Sequence, residues 1–300
     1  MESFVSQDFK DKYGGGVIQA LIKGMLDSKL VDQVLVFMGG LDETDIVPSF
    51  LSSGDEVGQI VTSSYNPGSL ARLVKCYSAK GEKIGVLVRS CDARALVELA
   101  KRGQVNMDNL YLIGIECYGV SRPQQGGEGE IHILAGDKEE LIRANCQRCE
   151  YPVPAMADLS CRLDKEITSI QVNSEKGKKI LDSCPELSQV EKKIERDIEA
   201  IEKKAQAQQE KDFGELREMS AKDRLNYWFS QFDKCIKCYG CRTSCPLCYC
   251  KECYLEADRK LVKGGEIPPE RLFHLTRLMH IGDSCLNCGQ CEDACPMEIP

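Results

Sequence analysis

The chain has 300 residues, with 39 Lys+Arg against 47 Asp+Glu, a formal net charge of -8 and 42% hydrophobic residues. That length suits roughly two domains, and interspersed charges with an acidic excess exclude a nucleic-acid-binding surface. Eighteen cysteines, eleven of them between Cys235 and Cys295, exclude an ordinary enzyme with incidental thiols.

In chain order, the first residues, Met1 to Asp8, show no basic start followed by an apolar stretch, so a cytoplasmic protein is expected. No apolar run approaches the roughly 20 residues that cross a bilayer, which argues against membrane insertion. Val17, Ile18, Leu21, Ile22, Met25 and Leu26 recur at helical spacing, and Gln33 to Phe37 reads as a strand. Leu70, Leu73, Val74 and Tyr77 mark a second helix, followed by a strand over Ile84–Val88. A third helix runs from Ala93 to Lys101 with Asp92 as its N-cap, and a strand over Leu110–Ile115 continues the series. Such alternation predicts a mostly parallel sheet covered by helices, with ligands beyond the carboxyl ends of its strands. Cys91 and Cys117 each stand at such an end. Leu187, Val190, Ile194, Ile198, Ile201 and Ala205 then predict one long amphipathic helix, read as a connector packed on its own protein rather than as a coiled coil for a partner. A break near Gly214 precedes a further helix over Leu216 to Phe232.

The strongest signal lies in the last segment. Cys235-x2-Cys238-x2-Cys241-x3-Cys245-Pro246 recurs fifty residues later as Cys285-x2-Cys288-x2-Cys291-x3-Cys295-Pro296. This is the two-cluster ferredoxin pattern, in which the fourth cysteine of each run serves the other cluster. Cys235, Cys238, Cys241 and Cys295 are therefore assigned to one 4Fe–4S cluster, and Cys285, Cys288, Cys291 and Cys245 to the other. In a reducing compartment, closely spaced cysteines read as metal ligands before disulfides. Cys248, Cys250 and Cys253 lie between the repeats and are not needed by them. They are read either as a further metal centre, with Cys161 or Cys184 as an outside ligand, or as buried thiols or a small zinc clip. Cys91, Cys117 and the Cys146-x2-Cys149 pair are too far apart in sequence for spacing alone to decide between another cluster and ordinary core thiols.

Gly14-Gly15-Gly16-Val17-Ile18-Gln19-Ala20-Leu21, Ser64-Tyr65-x-Pro67, Cys91 after a strand, Ile113-Gly114-Ile115-x-Cys117, and Cys146-x2-Cys149 with Ala157-Asp158 together resemble the coenzyme F420-reducing hydrogenase β-subunit family. That family includes the β subunits of F420-dependent formate dehydrogenases. The ferredoxin segment, with Cys235-Ile236-Lys237-Cys238-Tyr239-Gly240-Cys241, looks most like the formate dehydrogenase branch. The resemblance implies an FAD-binding domain lined by Gly14, Gly15, Gly16, Ser64, Tyr65 and Pro67, with a cluster on Cys91, Cys117, Cys146 and Cys149. Consecutive glycines before a helix suit that reading, since they let backbone N–H groups approach a pyrophosphate. Val88-Arg89-Ser90-Cys91-Asp92 stands where the family commonly has Gly-Thr-Pro-Cys-Gln, and Gln19 where Thr is usual, which leaves open F420 or another hydride carrier as the electron partner. Arg89 and Arg94 face an anionic cofactor, a solvated face or an ion pair with Asp92.

The expected architecture is an α/β flavin and 4Fe–4S domain over residues 1–184, a helical connector over 185–232 and a ferredoxin-like domain with two 4Fe–4S clusters over 233–300. Three clusters are expected, a fourth remaining open at Cys248, Cys250 and Cys253. The expected function is that of an oxidoreductase subunit moving electrons between a hydride carrier such as F420 and the catalytic α subunit of a formate dehydrogenase or hydrogenase. His132, His274 and His280 form no catalytic triad, so the far chemistry is assigned to that partner. The rival is a flavin-free iron–sulfur relay that wires such an enzyme to heterodisulfide-reductase-like subunits; a sensor is the third reading.

Overall fold

The structure is a computed structural model that describes residues 16–39, 46–62, 68–77, 81–120, 142–163, 168–187, 198–256 and 266–300. The first part comprises α1 (Val17–Asp27), β1 (Gln33–Gly39), β2 (Ile46–Leu51), α2 (Ala71–Tyr77), β3 (Ile84–Val88), α3 (Ser90–Lys101), β4 (Leu110–Ile115), the single turn α4 (Ala144–Gln147), β5 (Leu159–Leu163), β6 (Thr168–Val172) and α5 (Glu175–Asp182). The strands form one sheet in the order β2-β1-β3-β4-β5-β6. Neighbours from β1 through β5 are parallel, whereas β2 and β6 close the two edges antiparallel. The parallel centre agrees with the alternation of periods in the sequence.

Period-two alternation sorts the side chains onto two faces. Val34, Val36, Leu87, Tyr111, Ile113, Leu159 and Cys161 share one core with α1 and α5. Leu35, Ile84, Val86, Val88, Leu110 and Leu112 share the other with α2 and α3, and Leu247 and Leu286 of the cysteine-rich segment complete it. That segment is thus seated on the α2–α3 face of the sheet. Beyond the sheet come α6 (Ile198–Glu218), α7 (Ala221–Phe232), α8 (Gly240–Ser244), α9 (Leu272–Ile281) and α10 (Gln290–Asp293).

Several boundaries differ from the sequence reading. Asp92 is not the N-cap of the third helix, which starts at Ser90 with Arg89 as its cap. Asp92 sits three residues inside and accepts from the Arg89 N–H at 3.2 Å, so the carboxylate that suggested a cap works from the first turn. Gly214 does not break the connector: it lies within α6. The break falls at Ser220, whose hydroxyl accepts from the Asp223 N–H at 3.1 Å, a side-chain cap outweighing the weak helix propensity of one glycine. Pro185–Leu187 is a 3-10 turn rather than the start of that helix, and Val190 and Ile194 lie outside the described residues.

Gly114 in β4 holds space that the site needs. A Cβ there would come within 2.5 Å of Pro154 Cγ and 2.8 Å of both Ala157 Cβ and Leu159 O. The Gly114→Ala variant should therefore lose about 1–3 kcal/mol, seen as a lower urea midpoint with an unchanged slope; an unaltered midpoint would refute the contact.

Candidate functional site

The carboxyl ends of β3 and β4 lead directly into two thiols. β3 ends at Val88, the chain turns at Arg89, and Cys91 is the second residue of α3. A thiol at that place lies near the positive end of a twelve-residue helix. β4 ends at Ile115, after which Glu116 N–H donates to Cys161 O and Cys117 N–H to Pro152 O, both at 2.9 Å. Cys146 lies in α4 and Cys149 just beyond it, on a turn anchored by the Arg143 N–H on Val120 O at 2.9 Å. The structure brings these thiols together: Cys117 feels Cys146 and Cys149, Cys149 feels Cys146, and Cys91 feels Cys117. Burial pushes the Cys117 thiol up to about 11 and the Cys91 thiol well above its ordinary value, while Arg89 pulls both down.

Arg89 is committed within this group. Its Nε is ion-paired with Asp92 at 3.0 Å, a further N–H donates to Gly68 O, and the guanidinium lies over the Phe37 ring. Of the roles open in the sequence, the ion pair with Asp92 is present. Arg94 stacks on Tyr151, 4.0 Å from the ring centre.

In the cysteine-rich segment the two repeats adopt matching backbones. Lys237 and Asn287, each just before the second cysteine, have φ of 56° in both cases, and Tyr239 and Gly289, each just after it, have φ of 61° and 73°. These left-handed residues turn backbone N–H groups toward sulfur, as with Lys237 N–H on Cys235 Sγ at 3.3 Å. α8 and α10 follow at equivalent places, and a Cβ on Gly240 would stand 2.6 Å from Ala294 O, so the repeats lie back to back. Cys235 interacts with Cys238 and Cys295, and Cys241 with Cys235 and Cys238. Cys288 interacts with Cys245, Cys291 and Cys285. Cys241 also interacts with Cys291 of the second repeat, so the thiols of the two runs lie within electrostatic reach of one another. Burial pushes the Cys288 thiol up to about 12.

The first thiol group adjoins the second of these sets. Cys288 is among the groups that raise the Cys91 thiol. Buried Arg143 donates to Cys146 Sγ at 3.2 Å and to Cys288 O at 3.3 Å, and forms an ion pair with Asp293. Asn145 Nδ2 donates to Glu292 at 2.6 Å, and Arg148 pairs with Asp212 of α6 at 2.6 Å and with Glu292 at 3.4 Å. Gly289 leaves no room for a side chain against Asn145. The connector packs here too, Gln209 donating to Arg148 O at 3.0 Å. Arg143 and Arg148 carry no sequence period, and only their closeness to Cys146 and Cys149 could have marked them.

Cys248 N–H donates to Cys245 O at 3.3 Å and the Cys248 side chain beside it lowers the Cys245 thiol, Cys253 lies within electrostatic reach of Arg242, and Cys250 is exposed. The sequence suggestion that Cys161 or Cys184 completes a centre with them is corrected: both are buried in the core on the opposite face of the sheet, against α1 and α5. Among the described residues, no three Cys, His, Asp or Glu side chains are placed to hold a single metal ion. Gly14, Gly15, Ser64, Tyr65 and Pro67 lie outside the described residues. Gly16 is described: it precedes α1, whose first turn has no side-chain cap and no acidic residue, leaving N–H donors suited to an anion.

Comparison with known proteins agrees with this geometry. Residues 4–75 match the family "Coenzyme F420 hydrogenase/dehydrogenase, beta subunit N-term" and residues 124–197 the corresponding C terminus. Residues 231–299 match "4Fe-4S dicluster domain". The chain is 36% identical to the β subunit of the F420-dependent formate dehydrogenase of Methanocaldococcus jannaschii, over 95% of this chain and 86% of that protein. It is 35% identical to the β subunit of F420-dependent formate dehydrogenase 1 of Methanococcus maripaludis, over 95% and 85%. A chain of the F420-reducing NiFe hydrogenase complex of Methanosarcina barkeri aligns with a TM-score of 0.47 at 14% identity, covering 69% of this chain and 86% of that one.

The cysteine-rich segment has a small apolar core of its own, with Leu255 and Phe273 buried together. Iron held by its thiols would then supply much of its folding energy. Chelating the iron under anaerobic conditions should open residues 233–300 to limited proteolysis while the six-stranded sheet stays protected; equal resistance of the two parts would overturn this.

Proposed function

The chain belongs to the coenzyme F420 hydrogenase/dehydrogenase β-subunit family, and from that premise we propose that it is the flavin iron–sulfur electron-transfer subunit of an F420-dependent formate dehydrogenase or hydrogenase. The observation that carries the reading is the succession of three four-thiol groups, the Cys288 group joined to the Cys91 group through Arg143 on one side and packed against the Cys241 group, Gly240 on Ala294, on the other. FAD, when bound, exchanges a hydride with a two-electron carrier and releases single electrons, and 4Fe–4S clusters carry them one at a time. Gly14, Gly15, Gly16, Ser64, Tyr65 and Pro67 are assigned to the flavin, the uncapped start of α1 supporting a place for its pyrophosphate. Arg89, fixed by Asp92, supplies positive charge beside Cys91 and Cys117, where an anionic cluster would sit.

Cys91, Cys117, Cys146 and Cys149 would hold the cluster nearest the flavin. Cys285, Cys288, Cys291 and Cys245 would hold the middle one, and Cys235, Cys238, Cys241 and Cys295 the outermost. Near the outermost group Leu275, Leu278 and Met279 are exposed, an apolar surface suited to the catalytic subunit that makes or oxidises formate. We divide the chain into residues 1–184, 185–232 and 233–300 on this basis. Among the described residues no helix is long and apolar enough to cross a membrane.

The protein purified anaerobically with its partner should contain one FAD and about twelve irons, and should reduce or oxidise F420. In the Cys117→Ser variant, iron should fall by about four, FAD should remain, and electron flow from reduced F420 to the partner should drop by at least tenfold. Full iron with no flavin and no F420 turnover would favour the relay that joins an oxidoreductase to heterodisulfide-reductase-like subunits.

A further inference from the structure

Each gap between successive thiol groups contains one buried arginine. Arg143 fills the first gap, donating to Cys146 Sγ and to Cys288 O. Arg277 of α9 fills the second: its Nη2 donates to Cys241 O at 2.8 Å, and its charge acts on the Cys291 thiol, lowering it. Both arginines thus donate to a backbone carbonyl of one group and face a thiol of the next.

The two differ in compensation. Arg143 is ion-paired with Asp293, so its gap holds a near-neutral pair. Arg277 is 9% exposed and forms no ion pair with a carboxylate among the described residues. The groups that act on its charge are thiols of both sets, Cys241 of one and Cys291 and Cys245 of the other, with Cys248 beside them. Its Nε is buried without a partner. The neighbouring His274 adds no charge: burial first, and Arg277 second, lower it to about 4, and it stacks on Phe232 with ring centres 4.4 Å apart. A buried cation without a carboxylate is costly unless something anionic occupies the space around it. Groups of four thiolates on either side provide that, since a cluster held by four thiolates is an anion.

We infer that Arg277 is a positioning residue for electron transfer, a fixed positive charge shared by the middle and outermost clusters that raises the reduction potential of both and keeps them close to one another. Adding an electron makes a cluster more negative, and a cation held in low dielectric beside it favours that state. Arginine suits the task because it stays charged when buried and its planar fork reaches two directions at once. This rests on the reading that the thiol groups hold 4Fe–4S clusters.

The test is a potentiometric titration of the full-length holoprotein followed by electron paramagnetic resonance, comparing wild type with Arg277→Gln and Arg277→Lys. Iron and sulfide are counted on every sample, and the flavin-side cluster, identified by the signal lost in Cys117→Ser, serves as internal reference. In Arg277→Gln the reduced-to-oxidised ratio of the middle and outermost clusters should fall by about tenfold at fixed potential, equivalent to about 59 mV downward for a one-electron couple. Arg277→Lys should shift them in the same direction by less, and the reference cluster should not move. Unchanged potentials with full iron would overturn the inference. So would loss of iron from both variants, which makes Arg277 a structural contact only; if Arg277→Lys alone keeps its iron, its potentials decide. A wild-type protein without about twelve irons would instead overturn the cluster reading itself.

Discussion

The buried guanidinium of Arg143 is the contact on which the arrangement of this protein depends. It donates to a sulfur of the first thiol group and to a carbonyl of the second, and is ion-paired with the short helix inside the second repeat. Removing its carboxylate partner would leave a buried cation uncompensated, far worse than never having built the pair. The contacts around it run the same way. Lys75 donates to Tyr249 O at 2.7 Å, Arg102 pairs with Asp283 at 3.0 Å and Arg148 with Glu292, each cation from the first part of the chain meeting an acceptor in the last. Leu247 and Leu286 add apolar burial in the core shared with α3. Exposed pairs such as Arg102–Asp283 contribute little; shared apolar burial supplies the adhesion and the buried pairs fix the register.

Register matters because the chemistry tolerates no slack. A thiol is cheap to bury in its neutral form, and Cys288 and Cys117 are pushed to about 12 and about 11 by burial. Thiolate ligation reverses that preference, so each group needs positive charge or N–H donors close by. The protein supplies them in three ways. The N-terminus of α3 and Arg89 serve Cys91, left-handed turns aim N–H groups at the repeat cysteines, and Arg143 and Arg277 bridge the gaps.

What the sequence disclosed follows from how local each feature is. The repeats at Cys235 and Cys285 were legible because three ligands of each set lie within seven residues, and short spacing fixes geometry. The parallel centre was legible because β3 and β4 are fully apolar runs flanked by helices. The group at Cys91, Cys117, Cys146 and Cys149 was not readable from spacing, since its members are joined only when β3 and β4 lie side by side in register, Val86 opposite Leu112. Resemblance supplied it. Edge strands β2 and β6 and the interior strand β5 were missed: Pro48 interrupts β2, and the other two are short strands whose pairing is decided by the sheet they join. Arg277 was invisible because a charged residue inside an apolar helix normally marks a solvated face, and here burial is explained only by the sulfur on either side.

The sheet also determines which of its faces can carry electrons. Side chains alternate along each strand, so Cys161 of β5 points into the core against α1 and α5 while the loops after β3 and β4 bring their thiols to the side where the cysteine-rich segment sits. Burial and Glu116, rather than a neighbouring thiol, push the Cys161 thiol up to about 12. A one-residue slip of β5 would exchange those roles. Pairing of β4 with β5, with Ile115 opposite Cys161, therefore sets Cys161 in the core and Cys117 beyond the end of the pairing. Because Cys117 follows immediately on that pairing, the register that buries one cysteine also presents the other.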